Sequence, residues 1–253
     1  MRKPILLLVL SSLLIWGCES SRQKGGMADS LLVTDTIVPE QDIYAKPDIP
    51  AGKPFDSVKA GDKKFLLYYI EKSEFDKYPY TVPDSSETIA LKKDPAVRRK
   101  GDSLFIRLEN GRETVRVNNT LDDGDDYVRY KYVSDLAVIG KKGLDLTFYE
   151  ADAYQLTDIK TGDSIFLWTP PVISPDKKYF ICSSCDLMAG FNSNGFQLYE
   201  INNGHLKEVA EVNLEKWGLE RVQWINNNTL IAEYHTMAGE EQNYFRYVKL
   251  IMQ

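Results

Sequence analysis

Apolar positions along this chain fall in short runs broken by turn residues, and the runs favour Tyr, Phe, Val and Ile. That pattern predicts β-strands through most of the chain after residue 60. Strands are expected over 64–70, 103–108, 114–117, 128–133, 136–139, 144–149, 179–182, 196–201, 206–212, 229–234 and 244–251. Asn110-Gly111 and Asn203-Gly204 stand between such runs. Asn-Gly favours a tight hairpin because both residues accept positive φ. Thr161-Gly162 takes the same place less distinctly. No amphipathic helical run exceeds two turns, and 214–219 is the best candidate for a single helical turn.

The pattern repeats. Tyr132-Val133-Ser134-Asp135-Leu136-Ala137-Val138-Ile139 aligns with Ser174-Pro175-Asp176-Lys177-Lys178-Tyr179-Phe180-Ile181 at an offset of 42 residues. The same offset sets Gln155-Leu156-Thr157-Asp158-Ile159-Lys160-Thr161-Gly162 over Gln197-Leu198-Tyr199-Glu200-Ile201-Asn202-Asn203-Gly204. A third copy starts at Trp224, and a partial one runs from Phe105 to Gly111. Gly162 and Gly204 are therefore expected in equivalent hairpin turns, and Ile139, Ile181 and Ile231 at equivalent buried strand positions.

A repeat of about 40–45 residues made of short strands is the signature of a β-propeller blade. The pattern SPDKKYFI…GFQLYEINNG resembles the blades of WD40-like and TolB-like propellers, over roughly residues 100–253. The resemblance implies an all-β fold, a β-propeller-like array of about four short antiparallel blades. Three to four copies can be counted, and propellers have at least about four blades. The array is thus expected to be incomplete or open unless residues 64–93 supply the missing strands.

The N-terminus reads differently. Arg2 and Lys3 precede an apolar run over 5–16, which ends at Gly17-Cys18. The run is too short for a permanent membrane span and matches a secretory signal. Leu14-Ile15-Trp16-Gly17-Cys18 resembles a bacterial lipoprotein signal peptide, although Trp16 is bulkier than usual there. The resemblance implies cleavage before Cys18 and a diacylglycerol on its thiol. It also implies a lipid-anchored place in the cell envelope. Glu19 follows the cysteine where an Asp would favour inner-membrane retention, which points to the outer membrane. The expected organisation is a signal peptide over 1–17, a tether over 18–60 punctuated by Pro39, Pro47, Pro50 and Pro54, and one β domain over 61–253.

Charge narrows the partners. Removing Arg2 and Lys3 with the signal takes the formal net charge from −6 to −8. An acidic chain of this kind is a poor match for nucleic acid or for a polybasic membrane patch. The expected contacts are the membrane, through the N-terminal lipid alone, and a protein, peptide or glycan ligand.

Candidate chemistry is sparse. Cys182-Ser183-Ser184-Cys185 closes the second strand of the best-defined repeat. A redox Cys-x-x-Cys usually opens a helix, whose N-terminus lowers the thiol pKa. Here a strand precedes the motif and Asp186 follows it. In an exported chain two nearby cysteines are most simply a disulfide. Buried thiols, a redox pair and metal ligation are the other readings. A zinc site would need two more ligands, and the histidines on offer are His205 and His235. Asp122-Asp123-Gly124-Asp125-Asp126 lacks the alternating spacing of a Ca²⁺ loop, so it reads as a solvated connection with at most weak Ca²⁺ binding. No nucleophile elbow, phosphate loop or zinc-protease motif is present. No catalytic, cofactor or metal residues are therefore expected. A non-catalytic binding module is the favoured function. The alternative is an envelope enzyme, either a thiol–disulfide exchanger using Cys182 and Cys185 or a carboxylate-based hydrolase.

Overall fold

The computed structural model describes residues 52–253, apart from 81, 83–85, 121–123, 125, 238–242 and the side chains of 243 and 244. Cys18, the signal peptide, most of the tether and Asp122, Asp123 and Asp125 lie outside the described residues. Among those described, the chain forms four antiparallel sheets.

The first sheet holds β3 (Val97–Lys100), β4 (Ser103–Arg107) and β5 (Glu113–Val117). The second holds β6 (Arg129–Leu136), β7 (Lys141–Thr147), β8 (Asp152–Asp158) and β9 (Ser164–Leu167). The third holds β10 (Val172–Ile173), β11 (Tyr179–Ser184), β12 (Gly195–Asn202) and β13 (His205–Asn213). Within each sheet the strands follow chain order, as hairpins dictate. The fourth sheet is assembled from both ends of the domain. Its order is β1 (Asp56–Ala60), β2 (Lys63–Tyr69), β16 (Asn243–Met252), β15 (Thr229–Met237) and β14 (Trp217–Trp224). Residues 64–69 thus supply a missing strand as expected, by pairing Leu67 with Leu250. Because β1 also pairs with β2, the sheet takes in residues 56–60, which composition had assigned to the tether.

The period-two alternation of each strand sets which sheet it packs against. Leu104 and Ile106 of the first sheet meet Tyr132, Leu144 and Leu146 of the second. Tyr154 and Leu156 of the second meet Phe180, Cys182 and Tyr199 of the third. Ile181, Phe196 and Leu198 of the third meet Phe65, Leu219, Leu230 and Leu250 of the fourth. The sheets therefore stack face to face like blades. The fourth does not close on the first. Its outer face is covered instead by a short helix, α1 (Lys72–Phe75), whose Phe75 packs with Ile70 and Ile231. The outer face of the first sheet leaves Val115 and Val117 exposed. The fold is all-β and propeller-like, and the array is open.

A second helix, α2 (Glu87–Lys93), leads into the first sheet and covers the edge of the second. Asp94, just after it, accepts hydrogen bonds from the Tyr132 hydroxyl and from the Lys142 ammonium, each at 2.5 Å. All three side chains are buried, so the charge of Lys142 is balanced where water cannot reach it. Among the described residues, no helix is long and apolar enough to cross a membrane.

The repeat is correct in its second half and displaced in its first. Gly162 and Gly204 sit in matching β8–β9 and β12–β13 hairpins at φ +85° and +81°. Ile139, Ile181 and Ile231 are all buried but not equivalent. Ile139 lies in a 3₁₀ turn over Ala137–Ile139, not in a strand. Ile181 faces the third–fourth interface, and Ile231 faces α1. The displacement comes from loop length. β7 and β8 are joined by the short connection 148–151, whereas β11 and β12 are joined by the longer 185–194. An ungapped offset that fits the later hairpin must then miss the earlier one. Residues 214–219 form no helical turn, since β14 begins at Trp217.

Candidate functional site

The two cysteines part company at the end of β11. An odd spacing along an extended chain sends side chains to opposite faces. Cys182 points into the second–third interface, among Tyr154, Phe180 and Tyr199. Cys185 lies on the other side, against Gly218 of β14. Both thiols are free, so the expected disulfide is not formed. Burial pushes the Cys182 thiol well above its ordinary value. Burial, then the carboxylates of Glu220 and Asp186, push Cys185 up to about 12.

Cys185 opens the β11–β12 loop, and its neighbours hold that loop in place. The Asp186 carboxylate accepts backbone N–H bonds from Ala189, Gly190, Phe191 and Asn192 at 2.8–3.0 Å. These bonds, that from Asn192 most of all, hold Asp186 below the usual carboxylate range. Asn194 closes the loop, its side-chain amide donating to the Trp217 carbonyl at 2.9 Å. The loop is thereby fixed to β14, and Cys185 with it. Gly218 makes the close approach possible. A Cβ there would stand 2.6 Å from the Cys185 sulfur and 2.6 Å from Asn194 Oδ1.

β14 carries the other half of the site through a bulge. Glu220 pairs with Glu233 and Gln223 with Ile231, which leaves two residues opposite one. Arg221 takes φ +49° there, a conformation that non-glycine residues adopt at a cost and that bulges use to re-aim side chains. Leu219 and Val222 both enter the core, while Glu220 and Arg221 stay outside. The Arg221 guanidinium bonds to Glu233 at 2.7 Å and lies 5.4 Å from the Tyr80 ring.

Between these elements is a cavity of about 800 Å³. Its lining is apolar at Tyr80, Pro170, Pro171 and Val172 and polar at Ser184, Cys185, Glu220 and Arg221. A second cavity, about 530 Å³, opens between the second and third sheets beside Phe166, Trp168 and Glu211. It contains no thiol and no cation, so the chemistry is concentrated in the first.

His235 stands behind Cys185 and Glu220, on β15 directly opposite Gly218. It is 8% exposed and stacks on Phe245 at 5.4 Å. Its Nε2 lies 3.5 Å from a Glu220 oxygen and 3.8 Å from a Glu233 oxygen. Donor atoms of Cys185, Glu220 and His235 all fall within 4.8 Å of one another. The sequence offers Cys185 as a partner of Cys182 and His235, with His205, as a zinc ligand for that pair, but gives no sign of Glu220. No local spacing links the three, because the packing of two sheets brings them together. The remaining candidates are dispersed. His205 is exposed at the head of β13. Asp126, the described member of the acidic run, is exposed, and its carbonyl accepts a bond from the Asn119 amide at 2.9 Å.

No protein-family model and no curated protein matches the chain. Two solved structures show a distant likeness. A puromycin hydrolase is 11% identical, with a TM-score of 0.31, over 78% of this chain and 39% of that one. TolB from Acinetobacter baumannii is 13% identical, with a TM-score of 0.20, over 60% of this chain and 41% of that one. The chain thus spans about two fifths of the length of each, and the fold rests on its own sheet order and packing.

Proposed function

We propose that this protein is a lipid-anchored envelope protein whose propeller-like domain is a non-catalytic binding module for a peptide or glycan segment. The observation that carries this reading is the cavity between the third and fourth sheets. Ligand sites are concave, mostly apolar and fitted with a few polar groups. Here Tyr80, Pro170 and Pro171 offer flat apolar surface to a ring or a prolyl segment, and Arg221 offers a cation to an acidic group. Gly17-Cys18 behind the apolar run supports the anchor, which would leave the domain free of any need for a membrane-binding face. Thiol–disulfide exchange is the weaker alternative, since the free thiols of Cys182 and Cys185 face different interfaces.

Two measurements test the reading. Cys18→Ala should move the protein out of the membrane fraction or stall its processing. Unchanged processing and fractionation would remove the anchor. Panels of envelope glycans and of short peptides should include a class that the domain retains. Tyr80→Ala with Arg221→Ala should lose that class, and Phe166→Ala in the other cavity should keep it. Binding that ignores the double change would overturn the assignment.

A further inference from the structure

His235 is buried with both ring nitrogens unsatisfied: among the described residues, neither Nδ1 nor Nε2 has a hydrogen-bond partner. A buried polar group left so is costly, and natural cores rarely leave one without a purpose. Around it are a thiol and a carboxylate whose donor atoms, with a ring nitrogen, lie within 4.8 Å of one another. We propose that Cys185, Glu220 and His235 bind a divalent transition-metal ion, zinc first, with a coordination position open to the cavity. The inference goes beyond the binding-module reading and stands without it.

The distances suit such an ion. Nitrogen and oxygen ligands about 2 Å from a tetrahedral zinc stand roughly 3.3 Å apart, and a sulfur stands somewhat farther. His235 Nε2 and the Glu220 oxygen are 3.5 Å apart already. The donor set selects the metal. A thiolate and an imidazole suit zinc and its neighbours, whereas Ca²⁺ and Mg²⁺ take oxygen. Three protein ligands with a fourth position free is the arrangement of an open zinc site. Cys185 and Glu220 also line the cavity, so the fourth position faces it. Glu233, tied to Arg221, lies 3.8 Å from the same Nε2, so it adds a second carboxylate on the metal side of the ring.

A nucleophilic Cys–His pair is the competing reading, and the surroundings argue against it. Activated thiols lie near cations or helix N-termini. Cys185 lies instead beside the carboxylates of Glu220 and Asp186. Those charges oppose a bare thiolate and welcome a cation. On binding, the Cys185 thiol gives its proton to solvent and the sulfur bonds to the metal, so one proton leaves for each ion taken up.

The test uses the detergent-purified full chain, stripped with a chelator and titrated with Zn²⁺ by calorimetry. One ion per chain is expected. Co²⁺ in its place should give thiolate-to-metal charge-transfer absorption and the visible bands of a tetrahedral ion. Cys185→Ser should remove the charge-transfer band and weaken Zn²⁺ by about tenfold or more. Glu220→Gln, at an exposed position that leaves folding intact, should weaken it likewise. Cys182→Ser and Tyr80→Ala should leave it unchanged, which separates this site from the cavity's own ligand. Absent or substoichiometric Zn²⁺, or affinity unchanged in Cys185→Ser, would overturn the proposal. So would fast alkylation of Cys185 that Zn²⁺ does not slow, in favour of a nucleophile.

Discussion

Gln155 and Gln197 hold the same position in consecutive sheets, and each reaches back to the sheet before its own. Gln155 on β8 accepts a hydrogen bond from Arg116 Nε of β5 at 3.2 Å. Gln197 on β12 accepts one from the Trp168 backbone N–H, just beyond β9, at 2.9 Å. Both side chains are buried. Their neighbours Leu156 and Leu198 point the other way, into the core shared with the next sheet. Each Gln-Leu pair therefore joins three sheets, polar behind and apolar ahead.

The first prediction concerns that join. Gln197→Leu fills the space but leaves the Trp168 N–H without its acceptor. A cost of about 1–3 kcal/mol is expected, read as a lower urea midpoint at unchanged slope. Glu200→Leu, on the same strand, should cost much less. Equal losses would mean that the bond to Trp168 contributes nothing particular.

The same residues show which parts of the fold the sequence carries locally and which it does not. The Gln-Leu steps were visible because strands β8 and β12, with their hairpin glycines, are matched in length, so one offset aligns them. The pairing of Ile139 with Ile181 failed because that offset spans two loops of unequal length, and sequence periodicity carries no information on the gap. Strand identity followed from alternation and turn residues, both local. The cavity and the Cys185–Glu220–His235 cluster are contacts between sheets, made by a bulge at Arg221 and by the missing side chain of Gly218. Neither has a periodic signature. Cys-Ser-Ser-Cys drew attention to the right loop and to the wrong relationship within it.

Acid should weaken the domain through Asp94. Burial alone would raise its carboxyl, but the bonds from Lys142 and Tyr132 outweigh that and leave it below the ordinary value of 3.8. A carboxyl lowered on folding stabilises the folded state above its unfolded pKa. That contribution is lost as pH falls through the folded value. Urea midpoints should thus decline below about pH 4, and less steeply in Asp94→Asn, which carries no such charge. The same variant should cost about 1–3 kcal/mol at neutral pH, because Lys142 loses its buried partner and is left with the half-exposed Asp135 at 3.1 Å. A variant with wild-type acid sensitivity would place the effect elsewhere.

The cysteines should behave as independent residues. Cys182 and Cys185 share no bond, so reductant should leave the unfolding midpoint unchanged. Cys182→Ser puts a hydroxyl among Tyr154, Phe180 and Tyr199, and a loss of roughly 1–3 kcal/mol is expected. Cys185→Ser should cost less in the metal-free protein, and the double change should equal the sum of the singles within about 0.5 kcal/mol. A disulfide would give the opposite result: each single change as costly as both together, and a midpoint that drops with reductant.

Gly218 gives the last prediction, because it separates the loop's position from the fold's stability. Its φ is not in the left-handed region, so alanine fits the backbone without strain. The obstacle is space. The new Cβ would stand 2.6 Å from the Cys185 sulfur, 3.1 Å from the Cys185 Cβ and 2.6 Å from Asn194 Oδ1. Asn194 cannot swing aside cheaply, since its amide donates to the Trp217 carbonyl and its Oδ1 accepts from the Asp186 N–H. The loop must therefore shift as a unit, carrying Cys185 away from Glu220 and His235. A cost of about 1–3 kcal/mol is expected for the overpacking. Zn²⁺ uptake should fall by tenfold or more while the strand signal in far-ultraviolet circular dichroism stays as in the wild type. The loss should be no greater when Gly218→Ala is combined with Cys185→Ser, because both act on the same sulfur. Additive losses in the double variant would show that Gly218 supports the site by some route other than the approach of Cys185.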